Sequence, residues 1–126
     1  MNPELISRTV KAYFAAIRAM DIPAIVDTFA EDAVTEDPVG TPPNLGHKRI
    51  EEFFQTVTAG FKEVGLTEDQ VFISGNAAAV KWTGRGVSKE GRRVKFEGID
   101  IIEVNEAGKI QTLQAYWNPA EMVAQL

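Results

Sequence analysis

Arg92-Arg93-Val94-Lys95-Phe96-Glu97-Gly98-Ile99-Asp100-Ile101-Ile102-Glu103-Val104 decides the fold class. Its residues alternate. Positions 94, 96, 98, 100, 102 and 104 read Val, Phe, Gly, Asp, Ile and Val, and the opposite face holds Lys95, Glu97, Ile99, Ile101 and Glu103. A period of two with one apolar face marks a strand lying on a core. Turn signals flank it: Lys89-Glu90-Gly91 before and Asn105-Glu106-Ala107-Gly108 after, with Ser74-Gly75-Asn76 further upstream. Each is a hairpin signal. Segments near 63–74, 76–88, 92–104 and 109–117 are therefore expected to form an antiparallel sheet.

The first half of the chain has helical period instead. Ile6, Val10, Tyr13, Ile17 and Met20 fall on one stripe, widened by Leu5 and Phe14. Asn2 suits an N-cap and Pro3 the first helical position. Asp21-Ile22-Pro23 starts a second helix, with Ile22, Ile25, Val26 and Phe29 as its apolar face. A short strand is expected from Ala33 to Asp37, stopped by Pro38, then a turn-rich loop to Gly46. Ile50, Phe53, Phe54, Val57 and Phe61 make the face of a third helix. Asn118-Pro119-Ala120-Glu121 opens a short terminal one. Helices first and antiparallel strands after give an α+β fold, with helices on one face of a curved sheet. Such a sheet encloses an apolar pocket suited to a small ligand.

The chain has 126 residues, which matches one domain spanning 1–126. Hydrophobic residues are 44% and charged residues 25%, an ordinary globular balance. The net charge of -5 disfavours nucleic acid and anionic membrane surfaces as partners. With no Cys and one His, thiolate chemistry and a Cys- or His-rich metal site are excluded. Met1-Asn2-Pro3-Glu4 shows no signal-peptide pattern, and no apolar run approaches the ~18–20 residues of a bilayer span. A cytoplasmic protein without cofactor or metal is expected.

Several residues break the pattern around them. Asp100 is the only ionisable group on its apolar strand face, where burial makes a carboxyl keep its proton. Asp37 ends a strand beside Glu36, and only one of the two can face a pocket. Tyr13 sits mid-stripe in the first helix, where a buried hydroxyl wants a partner. Trp117 and Trp82 read as core. His47 reads as an exposed residue at a helix start. Gly84-Arg85-Gly86 lies inside a strand and is no phosphate loop. Lys89, Arg92, Arg93 and Lys95 form a solvated hairpin tip.

Glu36-Asp37-Pro38-Val39-Gly40-Thr41-Pro42-Pro43 resembles the catalytic-base segment of bacterial steroid Δ5-isomerases, the ketosteroid isomerases. Tyr13 lies upstream at the spacing of that family's oxyanion tyrosine. Gly98-Ile99-Asp100-Ile101-Ile102 resembles its oxyanion aspartic acid segment, and Gly108-Lys109-Ile110-Gln111-Thr112-Leu113-Gln114-Ala115-Tyr116-Trp117 its final strand. The resemblance runs from the first helix to Trp117 without gaps. It implies the NTF2-like, SnoaL-like cone: a curved, mostly antiparallel sheet wrapped around three helices. It also implies an isomerase that moves the C=C bond of a Δ5-3-ketosteroid, or a similar β,γ-unsaturated ketone, into conjugation. Asp37 would be the base, and Tyr13 and protonated Asp100 the donors to the dienolate oxygen, a division of roles that is a known pattern of carboxyl tuning. Asp37, on a loop among polar neighbours, would stay ionised. Trp117, Leu113, Phe54 and Phe29 would contact a small apolar ketone such as a steroid. A homodimer follows by analogy. The chain departs from well-known members where further tyrosines back the oxyanion tyrosine: Phe29 and Phe54 stand at the matching positions.

Two other classes compete. One is another acid/base enzyme on this fold, such as a polyketide cyclase; an epoxide hydrolase would need an Asp–Arg–Asp set. The other is a non-catalytic ligand-binding module, which has no need of Tyr13, Asp37 and Asp100 together. Fold alone does not choose between them.

Overall fold

The computed structural model describes residues 1–126. Helix α1 (Pro3–Arg18) is capped by Asn2, whose side chain accepts from the Glu4 N–H, with Pro3 in the first turn. Its stripe of Ile6, Val10, Tyr13, Phe14 and Ile17 is buried. At about 1.5–3 kcal/mol per fully buried large apolar side chain, this stripe rather than helix propensity holds α1 in place. Helix α2 (Ile22–Asp27) is capped by Asp21. Strands β1 (Phe29–Glu36) and β2 (Asn44–Leu45) precede helix α3 (Gly46–Ala59). Then come β3 (Phe61–Ser74), β4 (Ala77–Ser88), β5 (Arg93–Val104), β6 (Ile110–Trp117) and the short α4 (Pro119–Val123). Gly75 and Gly91 take positive φ in the β3–β4 and β4–β5 hairpins, as such tight reversals require.

The six strands form one mixed, mostly antiparallel sheet in the order β2-β1-β6-β5-β4-β3, and only β1 and β6 run parallel. One cluster of 24 buried side chains lies between the sheet's inner face and the helices. The expected alternation of β5 is observed: Val94, Phe96, Asp100, Ile102 and Val104 are buried while Lys95, Glu97, Ile99 and Glu103 are exposed.

The α1 stripe stops short of Met20, because the helix ends at Arg18 and Met20 takes a positive φ of 52°. Three further boundaries differ from expectation, each by tertiary pairing overriding local period. Phe29 does not extend α2; it opens β1, opposite Ile110, and is buried on the sheet. Strand β1 consequently starts four residues earlier than Ala33. Phe61 does not end α3. Gly60 caps that helix, and Phe61 begins β3 opposite Ser88. The 38–46 loop contains β2, whose Asn44 and Leu45 pair with Thr35 and Val34. No helix is long and apolar enough to cross a membrane.

Candidate active site

Register puts Asp100 in apolar company: its direct neighbours are Val80 on β4 and Ala115 on β6, both buried. Gly98, two residues earlier on the same face, lies between Trp82 and Trp117. A Cβ at Gly98 would stand 2.6 Å from Trp82 Cζ2 and 2.6 Å from the Tyr116 carbonyl oxygen, so the missing side chain is the space the indoles occupy. From there Trp82 reaches diagonally across the strands, and its indole N–H donates to Asp100 Oδ1 at 2.9 Å. Burial pushes the Asp100 carboxyl up to about 8; the negative charge of Asp37 adds to the shift and the Trp82 N–H opposes it. At neutral pH Asp100 is therefore mostly a neutral acid with a proton to donate.

Asp37 follows the last residue of β1, and the loop beyond it is tied to β6 by the Val39 N–H donating to the Ala115 carbonyl at 2.8 Å. The Trp117 indole N–H donates to Asp37 Oδ1 at 2.7 Å. Asp37, not Glu36, faces the cavity. Glu36 turns away and accepts from Gln114 Nε2 at 3.4 Å. The polar surroundings expected for Asp37 are not found. The residue keeps some exposed surface, yet burial pushes its carboxyl up to about 6, opposed by the Trp117 N–H. The two carboxyls still differ: Asp37 ionises first and Asp100 holds its proton longer.

Tyr13 is fully buried on α1, with its ring edge-on to Phe14, Phe29 and Phe54 at centroid distances of 5.2, 5.6 and 6.4 Å. Phe29 and Phe54 offer it no hydroxyl. Its own hydroxyl makes no hydrogen bond inside the protein. Every fully enclosed polar side-chain atom is partnered, so this oxygen is open to the cavity. Burial, then the charges of Asp100 and Asp37, hold its pKa well above the usual tyrosine value. Tyr13 thus stays a donor at any working pH.

These groups share one cavity of about 290 Å³, in which 13 of 18 lining residues are apolar, so the ligand it suits is apolar too. Tyr13, Asp37, Asp100, Trp117 and Phe54 all line it. Phe29 and Leu113, expected to touch ligand, lie outside the lining: Phe29 packs behind the Tyr13 ring and Leu113 is core. Trp82, Phe96, Phe53, Val57 and Met122 also line it, beyond the residues expected from sequence. For Trp82 and Phe96 the sequence does carry a signal, a large aromatic directly opposite a glycine on the neighbouring strand, Gly98 and Gly84 respectively. His47 is a structural link, with Nε2 2.8 Å from the Phe29 carbonyl. Gly84 makes room for the Phe96 ring in the same way as Gly98 does for the indoles, since a Cβ there would overlap it. No arginine lines the cavity. No three His, Cys, Asp or Glu side chains converge as metal ligands would.

Residues 10–113 match the SnoaL-like domain family. The chain belongs to that family. Over 119 residues this SnoaL-like chain is 29% identical to a Steroid Delta-isomerase of Nocardioides simplex, covering 94% of both proteins. Among solved structures it is similar to SalBIII, an epoxide hydrolase/cyclase-like enzyme in pyran ring formation of the polyether salinomycin. The TM-score is 0.86 with 25% identity, over 95% of each chain. A LEH-like epoxide hydrolase of M. tuberculosis superposes with a TM-score of 0.81 at 20% identity, over 98% of this chain and 90% of that one, and speaks for the fold alone. The α+β cone is thus NTF2-like, and the chain is a distant homologue of a steroid isomerase.

Proposed function

We propose that this cavity isomerises a β,γ-unsaturated ketone, of which a Δ5-3-ketosteroid is the model case, to the conjugated Δ4 ketone. One observation carries the reading: an ionisable base, a neutral carboxylic acid and an unpartnered tyrosine hydroxyl face one apolar cavity. Rings are held by burial and the ketone oxygen sets the register. The Asp37 carboxylate removes a proton from the carbon between ketone and alkene. The electron pair moves onto the ketone oxygen, giving a dienolate. Tyr13 and Asp100 donate hydrogen bonds to that oxygen as its charge grows, in a mostly apolar cavity where such bonds are stronger than in water. Asp37 then returns the proton at the far end of the conjugated system. Atoms and charge balance without a cofactor. The homodimer expected by analogy belongs to the same reading, and light scattering tests it.

A second reading has one support, the likeness to SalBIII. A neutral Asp100 and an ionised Asp37 also suit epoxide opening, with Asp100 protonating the oxygen and Asp37 activating a hydroxyl of the same substrate. The lack of a cavity arginine disfavours the hydrolase form, for which an Asp–Arg–Asp set is expected. The wild-type protein mixed with a Δ5-3-ketosteroid separates the readings. Growth of conjugated-enone absorbance supports the isomerase. No growth, alongside turnover of a hydroxy-epoxide, replaces it with the cyclase.

A further inference from the structure

We propose that Trp82 is a positioning residue: it fixes which oxygen of Asp100 carries the proton and so aims the Asp100 hydroxyl into the cavity. The inference rests on the donor role given to Asp100 above. An indole N–H can only donate. It is committed to Asp100 Oδ1 at 2.9 Å, with both residues 2% exposed. In a neutral carboxyl the carbonyl oxygen is the better acceptor, so Oδ1 is the carbonyl and Oδ2 the hydroxyl. Oδ2 has no partner within the protein. Since no fully enclosed polar side-chain atom is left unpaired, Oδ2 is open to the cavity. The flipped acid would point its O–H at the indole N–H, two donors face to face, and lose a buried hydrogen bond. The indole itself is fixed by Gly98 opposite, by Phe96 at 5.8 Å and by Trp117 at 6.2 Å between ring centroids.

The titratable groups that face Asp100 are Asp37 from the end of β1 and Tyr13 from α1; its neighbours Val80 and Ala115 on β4 and β6 carry no charge. The N–H also binds a carboxylate more strongly than a neutral acid. Removing it therefore makes Asp100 harder to ionise, and an acid with both oxygens free loses its aim.

The test compares wild type with Trp82→Phe, which keeps a ring and removes the N–H. Carboxyl-carbon NMR follows Asp100, and the indole N–H resonance of Trp82 is followed in wild type. We expect the indole resonance to move with the same midpoint as Asp100. We expect the Asp100 midpoint to rise in Trp82→Phe. On a Δ5-3-ketosteroid, kcat should fall roughly tenfold, short of the ~100-fold typical of deleting a donor, with KM nearly unchanged. An indole resonance indifferent to Asp100, a midpoint that stays or falls, or a KM change with kcat intact each overturns the proposal. If Trp82→Phe fails to fold, the wild-type indole titration decides. A wild type inactive on ketones defeats the isomerase reading, while the two titrations still judge the Trp82–Asp100 pair.

Discussion

Replacing Asp100 by Asn should make the protein's stability much less sensitive to pH. The folded Asp100 carboxyl titrates near 8, against 3.8 when freely solvated. Below both values the acid is protonated in folded and unfolded chains alike, and its favourable contribution is complete. As pH rises between them, the unfolded chain releases the proton and the folded one keeps it. Stability then falls by about 1.4 kcal/mol per pH unit. By pH 7 the loss is on the order of 4 kcal/mol, a large share of the ~5–15 kcal/mol that hold a domain together. Asn cannot ionise, but its amide oxygen still accepts from Trp82 and its nitrogen still donates into the cavity. Urea denaturation of both proteins at pH 5 and pH 7 reads the difference. Asp37 titrates in both and cancels to first order. We expect the variant to gain on wild type by about 3 kcal/mol between the two pH values. With urea slopes of about 1–3 kcal/mol/M, that is a relative midpoint shift on the order of 1–3 M. A stability difference flat with pH would show that Asp100 holds no buried proton, and its donor role would lose its physical basis.

Three further outcomes follow from the same geometry. Asp37→Asn should remain folded and lose roughly 100- to 10,000-fold in isomerase turnover; near-wild-type rates would move suspicion to Glu36. Tyr13→Phe should lower kcat more than it raises KM, because the lost donor matters as the oxyanion forms. The reverse pattern in steady-state kinetics would make Tyr13 a ground-state anchor. Gly98→Ala should destabilise by about 1–3 kcal/mol through overpacking, since the added Cβ meets the Tyr116 backbone carbonyl at 2.6 Å and that oxygen cannot move aside. Wild-type denaturation midpoints for Gly98→Ala would contradict the packing described.

The β5 alternation was legible because one-sided burial writes itself into a period of two, and the α1 stripe because helix burial does the same at 3.6. Asp100 and Tyr13 were legible as polar groups inside those patterns, and both do line the cavity. Local pattern does not assign Phe29 and Phe61 to their elements, for a physical reason. Each is a buried aromatic at a helix–strand junction, where either element satisfies its burial and only the pairing with Ile110 or Ser88 chooses. The Trp82 and Trp117 hydrogen bonds were not legible. They depend on strand register and on the room left by Gly98, which arise only when β4, β5 and β6 are side by side. The setting of Asp37 is not legible, because Thr35 and Glu36 just before it are polar while its spatial neighbours are the indole and rings of the cavity.

The proposed isomerisation needs one carboxyl ionised while the other is not, and the pH dependence of kcat/KM on a Δ5-3-ketosteroid is the decisive measurement. Activity should rise as Asp37 loses its proton through about 6 and fall as Asp100 loses its own through about 8. The alkaline limb should vanish in Asp100→Asn, with Tyr13 contributing no limb in this range. A profile flat from pH 5 to 9, or an alkaline limb that survives in Asp100→Asn, would contradict the division of labour between Asp37 and Asp100.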